Sequence, residues 1–182
     1  MWRVLADTYF RPAADHVARK GAKGVVFKAG ILYVDGLTKM VHVQPVSFLR
    51  NDRPMSTVAR DGMIVFIQKM RDASGDGSLH PLHLRTDGGS EWKSSFATWM
   101  AARRADTSDA YAHTLTTSGK AADNSLGKRH IATVRRLQYA HYRSQVRKWD
   151  QDDVPSAQRR YNWVEHLPLV LDRYNNKPHS TI

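Results

Sequence analysis

The hydrophobic period of this chain switches repeatedly between 2 and 3.6, and the order of those switches restricts it to an α/β architecture. Trp2 to Phe10 alternates as a strand and closes at Arg11-Pro12. A basic linker with Lys20, Lys23 and Lys28 then leads to Gly30. Ile31 to Asp35 and Met40 to Val46 read as two strands joined by the tight turn Gly36-Leu-Thr-Lys39. Met55 to Met70 has helical spacing, with Val58, Met63, Val65, Phe66 and Met70 as candidate buried positions, and the turn-rich Asp72 to Ser78 ends it. Pro81 to Thr86 is a short strand that stops at Asp87, Ser94 to Arg104 a helix, and Tyr111 to Thr116 a fifth strand. Two closing helices are predicted from about Ser125 to Trp149 and from about Ser156 to Tyr174, the second bent at Pro168. The predicted order is β-β-β-α-β-α-β-α-α, without internal repeats.

Length and charge narrow the possibilities. A chain of 182 residues with 41% hydrophobic composition supports one full core, and a single domain over 1–182 is expected. Lys and Arg number 28 against 17 Asp and Glu, a formal charge of +11 that draws the chain toward polyanions, nucleic acid first. With no cysteine there is no disulfide framework and no thiolate zinc site, so a zinc-binding N-terminal module is not expected. The nine histidines are read as surface or satisfied core residues, and Trp92, Trp99, Trp149 and Trp163 as core anchors. No apolar run approaches the roughly 18 residues that span a bilayer, so no membrane association and an intracellular location are expected. The nucleus and the mitochondrion remain open. The start one residue before the first strand and the stop just past His179 suggest a chain trimmed to its fold, with no basic C-terminal module.

Five segments then fall in a telling order. Trp2-Arg-Val-Leu-Ala-Asp7 runs on to Pro12; Tyr33-Val-Asp-Gly-Leu-Thr-Lys-Met40 follows; then Arg85-Thr-Asp-Gly-Gly-Ser-Glu-Trp92. Thr116-Thr117 precedes Asn124-Ser-Leu-Gly-Lys-Arg129, and Trp163-Val-Glu-His-Leu-Pro168 precedes Tyr174-Asn-Asn-Lys-Pro-His179. Each alone is a weak motif; together they resemble the catalytic core of retroviral and long-terminal-repeat retrotransposon integrases across nearly the whole chain. The resemblance implies a ribonuclease H-like fold, a five-stranded mixed sheet flanked by helices. It also implies a catalytic carboxylate at Asp7, a second at Asp87, and a third in the first turn of the helix near Ser125, where the family reads Asn-Gly-x-x-Glu-Arg and this chain has Lys128.

In that family three carboxylates hold two divalent ions, Mg2+ or Mn2+, which stabilise the attacking and leaving oxygens of an in-line displacement at phosphorus. An ammonium about 4 Å from a divalent ion, at an effective dielectric near 20, is repelled by roughly 8 kcal/mol. Lys128 would therefore oppose metal binding and could pair with Asp7 and Asp87 instead, leaving no expected cofactor. Two other acids stand as alternatives. Asp35 has 51 residues between it and Asp87 (87 − 35 − 1), a spacing found in such integrases, or it caps the turn at Gly36. Asp123, with 35 residues between it and Asp87 (123 − 87 − 1), is a displaced third carboxylate or a helix cap.

The helix opened by Lys128 carries a second signal. At 100° per residue, Lys128, Arg129, Arg135, Arg136, Arg143 and Arg147 fall within about one third of its circumference, with Ile131, Val134, Leu137 and Trp149 outside. There is no acid between Ser125 and Trp149, and Arg159 and Arg160 are candidates to extend the patch. Guanidinium forks suit phosphates, and no base-reading motif is present, so sequence-tolerant contact with RNA or DNA backbone is expected. Two functions remain: a degenerate, domesticated integrase-like subunit of a nucleoprotein assembly such as a ribosome, with protein partners and possible dimerisation; or an active core carrying out metal-dependent DNA 3′ processing and strand transfer.

Overall fold

A computed structural model of the chain describes residues 2–10, 17–18, 26–47, 54–75, 82–105, 111–115, 125–159 and 161–177. The elements, in order, are β1 (Trp2–Phe10), β2 (Val17–Ala18), β3 (Val26–Asp35), β4 (Val41–Ser47), α1 (Met55–Ser74), β5 (Leu82–Thr86), α2 (Ser95–Ala105), β6 (Tyr111–Leu115), α3 (Ser125–Gln151) and α4 (Trp163–Asn175). Five principal strands and the two-residue β2 form one sheet in the order β2-β3-β1-β5-β6, with β4 also paired to β3. β1 is central, antiparallel to β3 and parallel to β5, so the sheet is mixed. β4 lies at an edge, where Pro45 is tolerated because a missing N–H matters least there. Among the described residues no helix is long and apolar enough to cross a membrane.

The two sheet faces follow from the period of two along each strand. On β3, Ile31 and Tyr33 enter one core with Val4 and Ala6 of β1, covered by Met63, Phe66 and Met70 of α1 and Phe96 and Met100 of α2. Leu32 and Val34 enter the opposite core with Tyr9, beneath Val134 of α3 and Trp163, Leu167, Val170 and Leu171 of α4. Three layers, helix–sheet–helix, result. α1 approaches the sheet closely at Gly62, where a Cβ would lie 2.8 Å from that of Gln44 and 2.9 Å from the Tyr33 ring. The Tyr33 hydroxyl donates to the Ala59 carbonyl at 2.7 Å and fixes that ring.

Four details depart from the sequence reading. Lys28 belongs to β3 rather than to a linker, because pairing with β2 and β4 carries the strand back to Val26. Lys20 and Lys23 lie outside the described residues. Val65 is exposed, since it stands 200° round the helix from the buried Met63. The last helix starts at Trp163 rather than near Ser156: Ser156–Gln158 make only a 3-10 turn, and the Asn162 side chain accepts from the Val164 N–H at 3.1 Å as a true N-cap. Trp92 and Trp163 are buried, while Trp99 and Trp149 are half-buried.

Candidate functional site

The parallel register of β1 and β5 pairs Leu5 with Arg85, and two residues further along each strand come Asp7 and Asp87. Asp7 shares its strand face with Leu5 and Tyr9, the face that α3 covers. Sheet topology thus delivers both acids to the head of α3, where Lys128 sits exposed. A 3-10 turn, Ser90–Trp92, brings in a third acid. Glu91 is buried, and its carboxylate pairs with the Thr8 hydroxyl next to Asp7. It folds over Gly89, so that a Cβ there would displace the Glu91 carboxylate.

The electrostatics couple Asp7 to these groups, to Asp87 most strongly and to Glu91 least, since Glu91 bonds Thr8 on the other face of β1. Asp7 is pushed up from 3.8 to about 6, first by burial and then by the charge of Asp87; the backbone bond at Thr8 and the Lys128 ammonium pull it down, and Glu91 pushes it up again. Asp87 is held by protein donors. Its Oδ1 accepts from the Gly89 N–H at 3.1 Å and from the Trp92 indole Nε1–H at 2.9 Å. The turn after β5 therefore locks that carboxylate with hydrogen bonds from its own loop.

Asp35 sits elsewhere. It pairs with Val4, three residues along β1 from Asp7, about 10 Å at strand rise. Its oxygens accept from the Leu37 N–H at 3.3 Å, the Thr38 N–H at 2.8 Å and the Thr38 hydroxyl at 2.6 Å, so it caps the β3–β4 turn. Asp123 lies outside the described residues. Among those described, no group of three or more His, Asp or Glu side chains is arranged to hold a metal ion. The donor set beside Asp7 fits such an ion poorly, because one oxygen of Asp87 is already taken by an indole and an ammonium stands close by.

Glu91 was not singled out from the sequence, although it lies within the Asp87-Gly-Gly-Ser-Glu-Trp92 segment. Its type and loop position suggest a surface residue; only the turn that follows Asp87 folds it inward.

Along α3, Gly127, His130, Val134, Gln138 and His141 are buried, and Lys128, Arg129, Arg135, Arg136, Arg143 and Arg147 all face solvent. The helix of 27 residues is about 40 Å long. His130 Nδ1 bonds the Tyr174 hydroxyl and ties α3 to α4. Arg159 does not extend the patch: it donates to the Val154 carbonyl at 2.8 Å and pairs with Asp150 at 2.5 Å. Arg160 lies outside the described residues.

No protein-family model matches the sequence, and no curated protein is detectably similar to it. Solved structures do match. One is the simian T-cell lymphotropic virus intasome in complex with the PP2A regulatory subunit B56 gamma, with TM-score 0.62 and 17% identity over 98% of this chain and 50% of the other. Another is the catalytic core domain of BIV integrase, with TM-score 0.57 and 10% identity over 98% of this chain and 86% of the other. The chain thus spans half the length of the first of these. At such identities the likeness establishes the fold: a mixed sheet flanked by four helices, of the integrase-core, ribonuclease H-like kind.

Proposed function

We propose that this chain is a catalytically degenerate, domesticated integrase-like domain that acts as a basic nucleic-acid-binding or scaffold subunit of a nucleoprotein assembly such as a ribosome, in the mitochondrion or nucleus. The observation that carries the reading is Lys128, whose positive charge bears on Asp7 at the head of α3. An ammonium there lowers the Asp7 pKa and so partly offsets the push of burial, Asp87 and Glu91. On this reading the acids serve the fold, no cofactor is required, and the exposed cations of α3 make salt-sensitive contacts with RNA or DNA phosphates. One structural neighbour belongs to an intasome bound to a regulatory protein subunit, which supports nucleic acid and protein partners in general.

The second reading is an active core performing metal-dependent DNA 3′ processing and strand transfer. It draws on the mutual repulsion of Asp7, Asp87 and Glu91, a tension that a divalent cation would relieve. Calorimetric titration with Mn2+ separates the two. The degenerate reading expects no binding by the unaltered protein or by Asp87→Asn, and new binding by Lys128→Glu. Binding by the unaltered protein that disappears in Asp87→Asn would overturn it.

A further inference from the structure

We propose that the solvent face of α3 is a binding site for an unpaired polynucleotide strand, with bases stacked on Tyr139 and Tyr142 and phosphates on the arginines around them. This rests on the nucleic-acid reading above and narrows it from backbone contact in general to single strands.

Two large aromatic rings stand among the cations. Tyr139 is 60% exposed and Tyr142 is 39% exposed, whereas Tyr9, Tyr33, Tyr111 and Tyr174 are buried. At 100° per residue Tyr139 falls inside the cationic arc, between Arg135 and Arg143, and Tyr142 falls at its border. The rings are 6.4 Å apart and inclined at 38°.

They are also braced. Tyr142 packs edge-on against Tyr161 at 5.1 Å; Tyr161 stacks on His166 at 5.0 Å and donates its hydroxyl to the Gln138 carbonyl at 3.4 Å. The Arg143 guanidinium lies 5.9 Å from the centre of the Tyr139 ring. Rings held this way lose little freedom when a ligand stacks on them.

The combination selects among polyanions. A duplex keeps its bases stacked on one another and offers mainly phosphates, for which arginines alone suffice. An unpaired strand exposes a π-face on every base, and an aromatic ring receives any of them without reading sequence. Helical interfaces with proteins bring acids and bases in mixture, whereas this arc has no acid between Ser125 and Trp149 and suits a partner of uniform negative charge.

The test is fluorescence anisotropy with labelled oligothymidylate and oligouridylate of about twelve nucleotides, a duplex of the same length, and an abasic strand with the same phosphates. Tyr139→Leu should weaken binding of both base-bearing single strands by roughly 10-fold, within the range for loss of one stacked base, and Tyr142→Leu by a similar factor. Tyr139→Phe should retain the affinity of the parent. Duplex and abasic strand should bind all variants alike. If the unaltered protein bound duplex and single strands equally, and Tyr139→Leu changed neither, the stacking site would be refuted while the phosphate reading stood. If it bound none of the four probes, both would fail.

Discussion

Replacing Asp7 by Asn measures the strain in the acidic cluster directly. In the folded chain Asp7 titrates near 6 instead of 3.8, chiefly through burial and next through Asp87. Below 3.8 the group is protonated in both folded and unfolded chains and adds no pH dependence. Between 3.8 and 6 the folded chain keeps a proton that the unfolded chain has released, so stability falls as pH rises, and above 6 that loss is complete. About two units, at 1.36 kcal/mol each, set a ceiling near 3 kcal/mol. The decline is masked in the parent by buried His42, lowered from 6.5 to about 4 by burial and by Lys69. A folded-state pKa below the unfolded one makes stability rise with pH over that window, opposite to Asp7. The difference between parent and Asp7→Asn cancels His42 and isolates the acid. The pull of Lys128 is already contained in that shift; with a discount for the solvent that still reaches the group, Asp7→Asn should be more stable by about 2 kcal/mol at pH 7.5, a Tm increase of roughly 4–8 °C for a chain this long. The advantage should shrink steadily between pH 6 and pH 4, as followed by circular dichroism during thermal and urea unfolding. A variant less stable than the parent at pH 7.5, or a difference that does not vary with pH, would refute the account of a repulsive, desolvated cluster.

Two further perturbations probe the packing and the basic face. Gly62→Ala would drive a methyl group against Gln44 and the hydrogen-bonded Tyr33 ring, and should cost about 1–3 kcal/mol in urea unfolding despite a helix-propensity gain of about 1 kcal/mol; net stabilisation would mean that α1 does not sit this close to the sheet. Reversing Arg135, Arg136 and Arg143 to Glu should weaken oligonucleotide binding and reduce the slope of log affinity against log salt by roughly 2–3, and unchanged affinity would reduce the arginines to a solvated helix face.

Much of the fold was legible because its signals are local. The alternation in Trp2–Phe10 and Ile31 to Asp35, the turn at Gly36 and the helical spacing after Met55 each report on contiguous residues, and the structure reproduces them. What was not legible depends on distant partners. Val26 to Lys28 reads as basic linker but is strand because β2 and β4 pair with that chain segment. The last helix begins late because Asn162, not a residue near Ser156, supplies the cap. The site divides along the same line. Asp87 follows the end of its strand as the sequence suggests, Asp7 lies inside β1, three residues before its end, and Lys128 stands in the first turn of α3. Glu91 was not legible, since only the 3-10 turn beneath Thr8 makes a loop carboxylate into a buried one.

Lys128 and the acids beside it are best understood as mutually dependent. The first turn of α3 carries no acidic residue, and a helix N-terminus carries partial positive charge, so a lysine there is unfavourable by the helix's own electrostatics. Conversely, Asp7 is buried next to Asp87 and Glu91, an arrangement that raises its pKa and weakens the fold at neutral pH. Each feature is a liability alone, and each offsets the other when they meet at the head of α3. The exchange has a consequence for the rest of the helix. A carboxylate at position 128 would interrupt the cationic face at the end nearest the acids. Lysine instead makes that exposed cationic face continuous from the first turn to Arg147, so that the proposed polyanion surface would reach as far as Asp7.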